Sequence, residues 1–340
     1  MTDVATPAPQ RGWWRLVLAV GVFGIAIGLP VAQTLLPLHQ PLTAMVAMLA
    51  ACAVVGWWRG GSLSLAIGSM SVAVWLVWQS VRGGVSNDVL TAAWSTVAAS
   101  CFGVALVASR SKWFLGKAVV AVLAALLLSA VLVVATPSGP RVFGQTLTSV
   151  LAVRGAADLN NWRVARSQMT KASTARADTA TAAVLDRFEQ QISGLPQLAR
   201  VVLPSMLALQ TLAAMAIGWA LFHAVSRTRL GERLSRLREF RFNDHWIWSV
   251  IVGLVVSLLP ALQALRPLGI NLLVFFGAIY ALRGAAVFAW FLRPGRTWLG
   301  LLVGVALLLL LRDGAAIALG FVGLGDTWAD WRRRTRPAVS

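Results

Sequence analysis

Long apolar runs, broken by short polar connections, dominate the pattern of this chain. A helix needs about 20 apolar residues to cross a hydrocarbon core about 30 Å thick, and it pairs its backbone polar groups internally. Eight runs approach this length, at residues 13–36, 42–58, 63–81, 89–108, 113–135, 201–225, 246–265 and 269–292. The pattern predicts an all-α fold, a polytopic transmembrane helical bundle of eight to ten spans.

A ninth apolar run, residues 298–324, is interrupted by Arg312, Asp313 and Gly314. It is either one tilted span or a helical hairpin. Residues 298–311 would extend only about 21 Å as a helix, so a hairpin must be re-entrant or covered by protein. We favour the hairpin, because it returns the terminal arginines to the cytoplasmic side.

A long polar stretch, residues 136–200, separates a five-span region, residues 1–135, from a second membrane region, residues 201–340. Apolar residues from Ala177 to Leu195 recur at helical spacing, which predicts an amphipathic helix that Pro196 would end or kink. The helix could lie on the outer leaflet or cap the bundle. Alternatively, the stretch is a solvated connector.

Charge is scarce and unevenly placed: 12% of the residues are charged, and the net charge is +18. Most basic residues lie in connections, above all in the basic loop, residues 227–241. The positive-inside rule then predicts a multi-pass membrane protein with both termini in the cytoplasm. No nucleic-acid reader motif accompanies the charge. The length of the first run and Pro30 favour an uncleaved helix over a signal peptide.

The residue types of catalytic and metal sites are sparse in this sequence. Cys52 and Cys101 lie far apart in apolar runs, and His39, His223 and His245 form no pair at metal-binding spacing. No hydrolase motif, phosphate loop or dinucleotide fingerprint is present. We therefore expect no catalytic residue, no metal and no cofactor.

Arg283 lies past the middle of an apolar run, where an ionised side chain costs at least about 2.5–3.5 kcal/mol. An intramembrane ion pair with Asp313, next to Arg312, would neutralise it. Alternatively, Arg283, Tyr280 and Asn271 face a cavity and bind an anionic or polar solute, because the arginine donor fork suits a carboxylate or phosphate.

The terminal stretch "GLGDTWADWRRR" combines acids, indoles and arginines. Asp330 and Arg334 are four residues apart and can pair on a helix, while Asp326 can take up donors at the membrane junction or reach a loop arginine. Trp328 and Trp331 suit the headgroup layer. Asp326, Trp328, Asp330 and Trp331 are thus predicted to form an interfacial anchor.

Arginines of the basic loop and the tail are predicted to dock partners or anionic inner-leaflet lipids, at about 1 kcal/mol per charge for lipid. The predicted docking residues are Arg233, Arg236, Arg238, Arg241, Arg332, Arg333 and Arg334.

The second membrane region resembles the YybS-like family of predicted bacterial membrane proteins, defined by domain of unknown function 2232. The resembling stretches are "RVVLPSMLALQTLAAMAIGWALF", "REFRFNDHWIWSVIVGL", "GINLLVFFGAIYALRGAAVFAWF" and "GLGDTWADWRRR", within roughly the last 140 residues. That family is distantly similar to the substrate-binding subunits of energy-coupling-factor vitamin transporters. The resemblance implies a bacterial inner-membrane protein. It also implies a non-enzymatic, small-solute-binding subunit of transporter type, with an ATPase or other membrane-protein partner. The alternative is an envelope scaffold that docks partners or anionic lipid through its basic loop and tail.

Overall fold

The computed structural model describes residues 39–82, 86–109, 113–172, 179–291 and 314–334. Within these ranges the chain forms helices and no strand, which confirms the all-α prediction. The helices are α1 His39–Trp58, α2 Leu63–Arg82, α3 Ser86–Ala108, α4 Phe114–Ala135, α5 Gly139–Ala172, α6 Thr179–Val225, α7 Ile247–Leu258, α8 Arg266–Phe291, α9 Ala315–Ala329 and α10 Trp331–Arg334. The predicted run 13–36 and most of the ninth run, including Arg312 and Asp313, lie outside the described residues.

Five stretches of the described helices are long and apolar enough to cross a membrane: Leu63–Arg82, Asp88–Ala108, Phe114–Ala135, Arg200–Val225 and Pro260–Phe291. Shorter apolar helices cover Leu42–Trp58, Asp244–Leu258 and Ile317–Ala329. Several predicted spans therefore exist as apolar helices, while the predicted number of eight to ten is not confirmed.

The predicted span at residues 246–265 is wrong as a continuous helix. α7 ends at Leu258, Leu259 is extended (φ −74°, ψ 120°), and Pro260 begins a 3₁₀ turn, Pro260–Leu265, that leads into α8. The cause is Pro260, since the residue before a proline is driven out of the helical region. α7 is only about 18 Å long, short of a bilayer core.

The polar stretch is more helical than predicted. α5 has 34 residues, and α6 has 47 residues that continue through Pro196 and Pro204 into the apolar stretch Arg200–Val225. Pro196 therefore does not end the helix. A proline removes one helical hydrogen bond and crowds the preceding turn, and here the helix continues on both sides of it.

Ion pairs join α5 to the first part of α6. Arg163 Nε donates to Glu189 Oε1 at 3.0 Å, and Arg166 donates to Glu189 Oε2 at 2.8 Å and to Asp186 Oδ1 at 2.7 Å. The hydrogen bond from Arg163, together with that from Arg166, holds the pKa of Glu189 below its ordinary value.

The chain divides into two compact units. Among the described residues, the first unit comprises those from 39 to 133 together with 210–234, and the second comprises those from 134 to 209 together with those from 235 to 334. In the first unit, α1 packs against α2, α3 and the end of α6. A Cβ on Gly218 of α6 would lie 2.9 Å from the backbone nitrogen of Leu49, so glycine is required for this approach.

In the second unit, α8 packs against α7 and α9. The contact with α9 is made at two glycines. A Cβ on Gly284 would lie 1.9 Å from the Leu319 carbonyl oxygen, and one on Gly323 would lie 1.9 Å from the Tyr280 carbonyl oxygen. This backbone contact places the second half of α8 beside the middle of α9.

Candidate functional site

A buried ionic cluster lies where α8 and α9 meet. It consists of Arg283 on α8, Asp326 on α9, Arg332 on α10 and Asp244, which begins a 3₁₀ turn. Arg283 is 3% exposed, Arg332 is 2% exposed and Asp326 is fully buried. The glycine contact between α8 and α9 permits this approach of two helices.

Asp326 is the centre of the cluster. Its Oδ2 accepts hydrogen bonds from Arg283 Nε at 3.0 Å and from Arg332 Nη2 at 2.7 Å. Arg283 also donates through Nη2 to the Asp326 carbonyl oxygen at 3.3 Å and through Nη1 to Asp244 Oδ1 at 2.6 Å. Two arginines thus face two aspartates, and the cluster is electrically balanced.

The same cluster holds the segment 235–246, which we call the anchored loop. Arg332 Nη1 donates to the carbonyl oxygens of Arg238 at 3.2 Å and Phe240 at 2.9 Å. Arg241 forms an ion pair with Asp330. The Asn243 side chain accepts from the backbone N–H of His245 at 3.1 Å, which caps the 3₁₀ turn. The loop is therefore fixed at several points along its length.

Aromatic rings surround the buried arginine. The Phe242 ring lies 5.3 Å from Arg283 Cζ, and it packs edge-on against Tyr280 and stacks on Trp246. Tyr280 is fully buried. Rings in these positions keep water from the arginine, and a low local dielectric strengthens its ion pairs.

Comparison with known families places this site in context. Residues 25–327 match the profile of a family described as "Predicted membrane protein (DUF2232)". The chain belongs to this family. The match reaches far beyond the last 140 residues on which the sequence resemblance rests. It establishes a membrane protein with several helices capable of crossing the bilayer. Neither a curated protein nor a solved structure matches the chain.

Within the DUF2232 match, the three predicted solute-binding residues do not come together. Arg283 and Tyr280 both contact the Phe242 ring, but Asn271 lies twelve residues before Arg283, about 18 Å away along α8. Asn271 accepts from the Ser205 backbone N–H at 2.9 Å and donates to the Val201 carbonyl oxygen at 2.7 Å, which joins α8 to α6. Asp313 and Arg312 lie outside the described residues.

Asp326 takes up donors as predicted, but the donors are two buried arginines, and Asp326 is fully buried rather than exposed as an interfacial anchor. The continuous helix predicted to carry both Asp330 and Arg334 is wrong, because α9 ends before Asp330, and the Arg334 side chain lies outside the described residues. Asp330 adopts a left-handed conformation (φ 39°, ψ 49°) that ends α9, and its carboxylate binds Arg241. Trp328, in contrast, is 71% exposed, as an interfacial ring requires. Trp331 is exposed as well, with its indole edge against Gly325.

The predicted docking arginines divide into two groups. The prediction that Arg332 contacts lipid is wrong, because its guanidinium is buried and donates to protein oxygens. Arg241 is half-buried and paired. Arg233 and Arg236 are exposed, and Arg238 is half-buried. The side chains of Arg333 and Arg334 lie outside the described residues.

Asp244 is the site residue that sequence reasoning missed. The available signal was its place two residues before Trp246 in "FNDHWIW", where a carboxylate at the start of an apolar run could meet a buried arginine. The described residues hold no group of three histidine, cysteine or acidic side chains suited to a metal ion. Both aspartates of the cluster accept hydrogen bonds from arginine side chains.

Proposed function

We propose that this protein is a non-enzymatic membrane protein that docks a partner protein of acidic surface through its basic loop. The observation that carries the proposal is the anchored loop: buried charges of α8, α9 and α10 hold residues 235–246 through side-chain and carbonyl contacts. By the positive-inside rule, the loop faces the cytoplasm of a bacterial inner membrane.

The charge of the basic loop suits an acidic surface. Residues 227–241 contain six arginines and two glutamates. Arg227, Arg229, Arg233 and Arg236 are exposed, and no carboxylate of the described residues forms an ion pair with them. Arginine donates through a planar fork that binds carboxylates at two points, which favours defined recognition over diffuse attraction.

The fixed conformation favours a protein partner over a lipid surface. A basic segment is attracted to anionic lipid by its charge alone, and this attraction needs no defined fold. A protein partner requires a defined arrangement, and a loop ordered in advance loses less conformational entropy when it binds. The buried charges order residues 235–246, which include Arg236, Arg238 and Arg241 of the basic loop, and this local order is better explained by protein docking.

Charge reversal in the native membrane tests the proposal. Tagged full-length protein carrying Arg233→Glu and Arg236→Glu should lose a cross-linked partner that wild-type protein retains. The matched control, Arg141→Glu with Arg200→Glu, makes the same charge change on exposed arginines of the polar stretch and should retain it. An unchanged cross-linking pattern in the loop variant rejects protein docking. If purified wild-type protein binds anionic lipid in nanodiscs and the loop variant does not, with no partner protein present, the loop is assigned to lipid.

A solute-binding subunit of transporter type is the second candidate, supported by one observation. Asp326 Oδ1 is buried without a hydrogen-bond partner among the described residues. A small polar solute with a donor group would satisfy it. Arg283, however, already donates through all three nitrogens. A solute that raises the melting temperature of wild type but not of Tyr280→Phe would support this role. Equal stabilisation of both would reject the site.

A further inference from the structure

An apolar groove runs along the first unit between α1, α2 and α3, with a volume of about 580 Å³. Its floor is made of small residues of α1 and α3, including Ala47, Ala51, Ala99 and Gly103, and Val74 of α2 contributes to a wall. Trp58 stands at one end. The small floor residues leave room for a narrow, flexible occupant.

The chemistry of the groove suits hydrocarbon. Its hydroxyl-bearing residues are Thr96 and Ser100, and each hydroxyl already donates to a helix carbonyl, that of Ala92 at 2.9 Å and that of Thr96 at 2.8 Å. The remaining lining is apolar, apart from backbone. A polar ligand would therefore find no free hydroxyl donor in the groove. An alkyl chain has no polar group that burial would leave without a hydrogen bond.

The length of the groove distinguishes between two apolar occupants. From Ala47 to Trp58, α1 rises about 17 Å, which is close to half of a hydrocarbon core about 30 Å thick. A partner transmembrane helix would need a surface across the whole core. An acyl chain needs only the depth of one leaflet. The groove therefore fits a lipid chain better than a helix.

A positive charge stands at the Trp58 end of the groove. Arg59 follows Trp58, is exposed, and donates through Nη2 to the Leu106 carbonyl oxygen at 3.0 Å, directly before the lining residues Val107 and Ala108. No carboxylate of the described residues forms an ion pair with Arg59. A single hydrogen bond leaves other donors of the guanidinium available for an anion.

A second cation reinforces this end of the first unit. Lys117 is buried, its amine donates to the Leu230 carbonyl oxygen at 3.3 Å, and it lies within electrostatic range of Arg59. Among the described residues, Lys117 also has no carboxylate partner. Two positive charges without a protein counter-charge attract an anion to this surface.

We propose that the groove of α1, α2 and α3 is a binding site for an anionic phospholipid. The acyl chain lies on the floor of small residues, and the headgroup phosphate binds Arg59 at the Trp58 end. Trp57 and Trp58 are exposed at this level, as expected of residues in the headgroup layer. The groove shares no lining residue with the basic loop, which approaches this end of the first unit through the Leu230 carbonyl oxygen that binds Lys117.

Native mass spectrometry of the full-length protein tests the site with three probes: phosphatidylglycerol, phosphatidylcholine of the same chains, and glycerol phosphate without chains. Wild type should retain phosphatidylglycerol in preference to phosphatidylcholine, by about fivefold for one charge. It should retain no glycerol phosphate at the same concentration. Equal retention of both lipids would indicate general coverage by lipid and overturn the proposal. Competition by glycerol phosphate would overturn the role of the groove.

Variants separate the two parts of the site. Arg59→Gln should abolish the preference for phosphatidylglycerol, while Arg82→Gln, at an exposed arginine that ends α2, should keep it. Gly103→Leu should fill the groove and weaken both lipids, and Ala99→Leu provides a second filling variant. A preference that survives Arg59→Gln, or full retention in both filling variants, would contradict the proposal.

Discussion

Asp326 is the one acid of the described residues that is buried, and it binds two arginines. It is fully buried, and it accepts hydrogen bonds from two arginines that are themselves buried. A buried ion pair gives little net stability compared with an apolar pair, but removing one member leaves an uncompensated charge. The role of Asp326 is therefore to make the burial of Arg283 and Arg332 tolerable.

Asp326→Asn tests this role at nearly constant volume. The variant leaves two buried guanidinium groups facing a neutral amide, and we expect the free energy of unfolding to fall by about 3–5 kcal/mol. The measurement is reversible unfolding of the full-length protein in mixed micelles.

Asp244→Asn is the matched control, since Asp244 binds the same arginine. Its side chain is 59% exposed, so water screens the pair, and we expect a loss below about 1 kcal/mol. Equal losses in the two variants would show that burial does not distinguish these carboxylates.

The sequence predicts one half of the ionic cluster and misses the other. Arg283 stands out because a charge inside an apolar run is costly, and this cost implies a carboxylate partner. The identity of that partner depends on how closely α8 and α9 approach. Asp326 lies near the end of its apolar run, a position that suggests an interface, and only the three-dimensional contact shows it to be buried.

At the level of helices, the contact of α8 with α9 depends on glycine. Gly284→Ala would place a Cβ 1.9 Å from the Leu319 carbonyl oxygen, so the helices must separate. We expect a loss of about 1–3 kcal/mol or more, measured as a lower melting temperature in detergent. Gly277→Ala on the same helix meets nothing within 4 Å and should be neutral or slightly stabilising. Equal effects would show that the helices do not touch at Gly284.

The ion pairs between α5 and α6 predict a pH dependence. Because the pKa of Glu189 is lowered in the folded state, these pairs stabilise fully above the ordinary pKa of a glutamate, and the stabilisation disappears as the pH falls through the lowered value. A carboxyl-carbon NMR titration should show the Glu189 pKa rising toward its ordinary value in Arg163→Gln. Arg141→Gln on the same helix should leave it unchanged. An identical titration in wild type and Arg163→Gln would contradict the pairing.

The helices are predictable where hydrophobicity determines them and less so at prolines. The runs that contain α2, α3 and α4 are identifiable because lipid permits few alternatives to an apolar helix. Pro260 ends α7, whereas Pro196 lies inside the continuous helix α6. A proline disfavours a helix in both places, and the surrounding structure determines which outcome occurs.

At the scale of the whole molecule, the proposed orientation is open to a labelling experiment. Single cysteines at Ser235 in the basic loop and at Asn160 on α5, both exposed, are treated with an impermeant maleimide. The background replaces native Cys52 and Cys101 with alanine. Intact cells should label Asn160→Cys, and only opened cells should label Ser235→Cys. The reverse pattern would overturn the cytoplasmic position of the loop.

The sequence predicts a membrane protein because a long apolar helix is stable in lipid and not in water. The family match confirms this class and the family itself. Function does not follow in the same way. Arg283 is compatible with a solute site or with a structural pair until its partners are seen, and the exposed arginines of the basic loop do not specify what they bind.

Amide hydrogen exchange of the anchored loop tests the central claim most directly. Phe240 and Glu239 donate to loop carbonyls, His245 donates to the Asn243 side chain, and Trp246 donates to the Asn243 carbonyl. In wild-type protein in nanodiscs these four amides should exchange slowly, and in Asp326→Asn they should exchange at rates close to those of an unstructured loop. The helix α2 of the first unit serves as the internal control. Fast exchange in wild type, or equal protection in the variant, would show that the buried ionic cluster does not hold the loop.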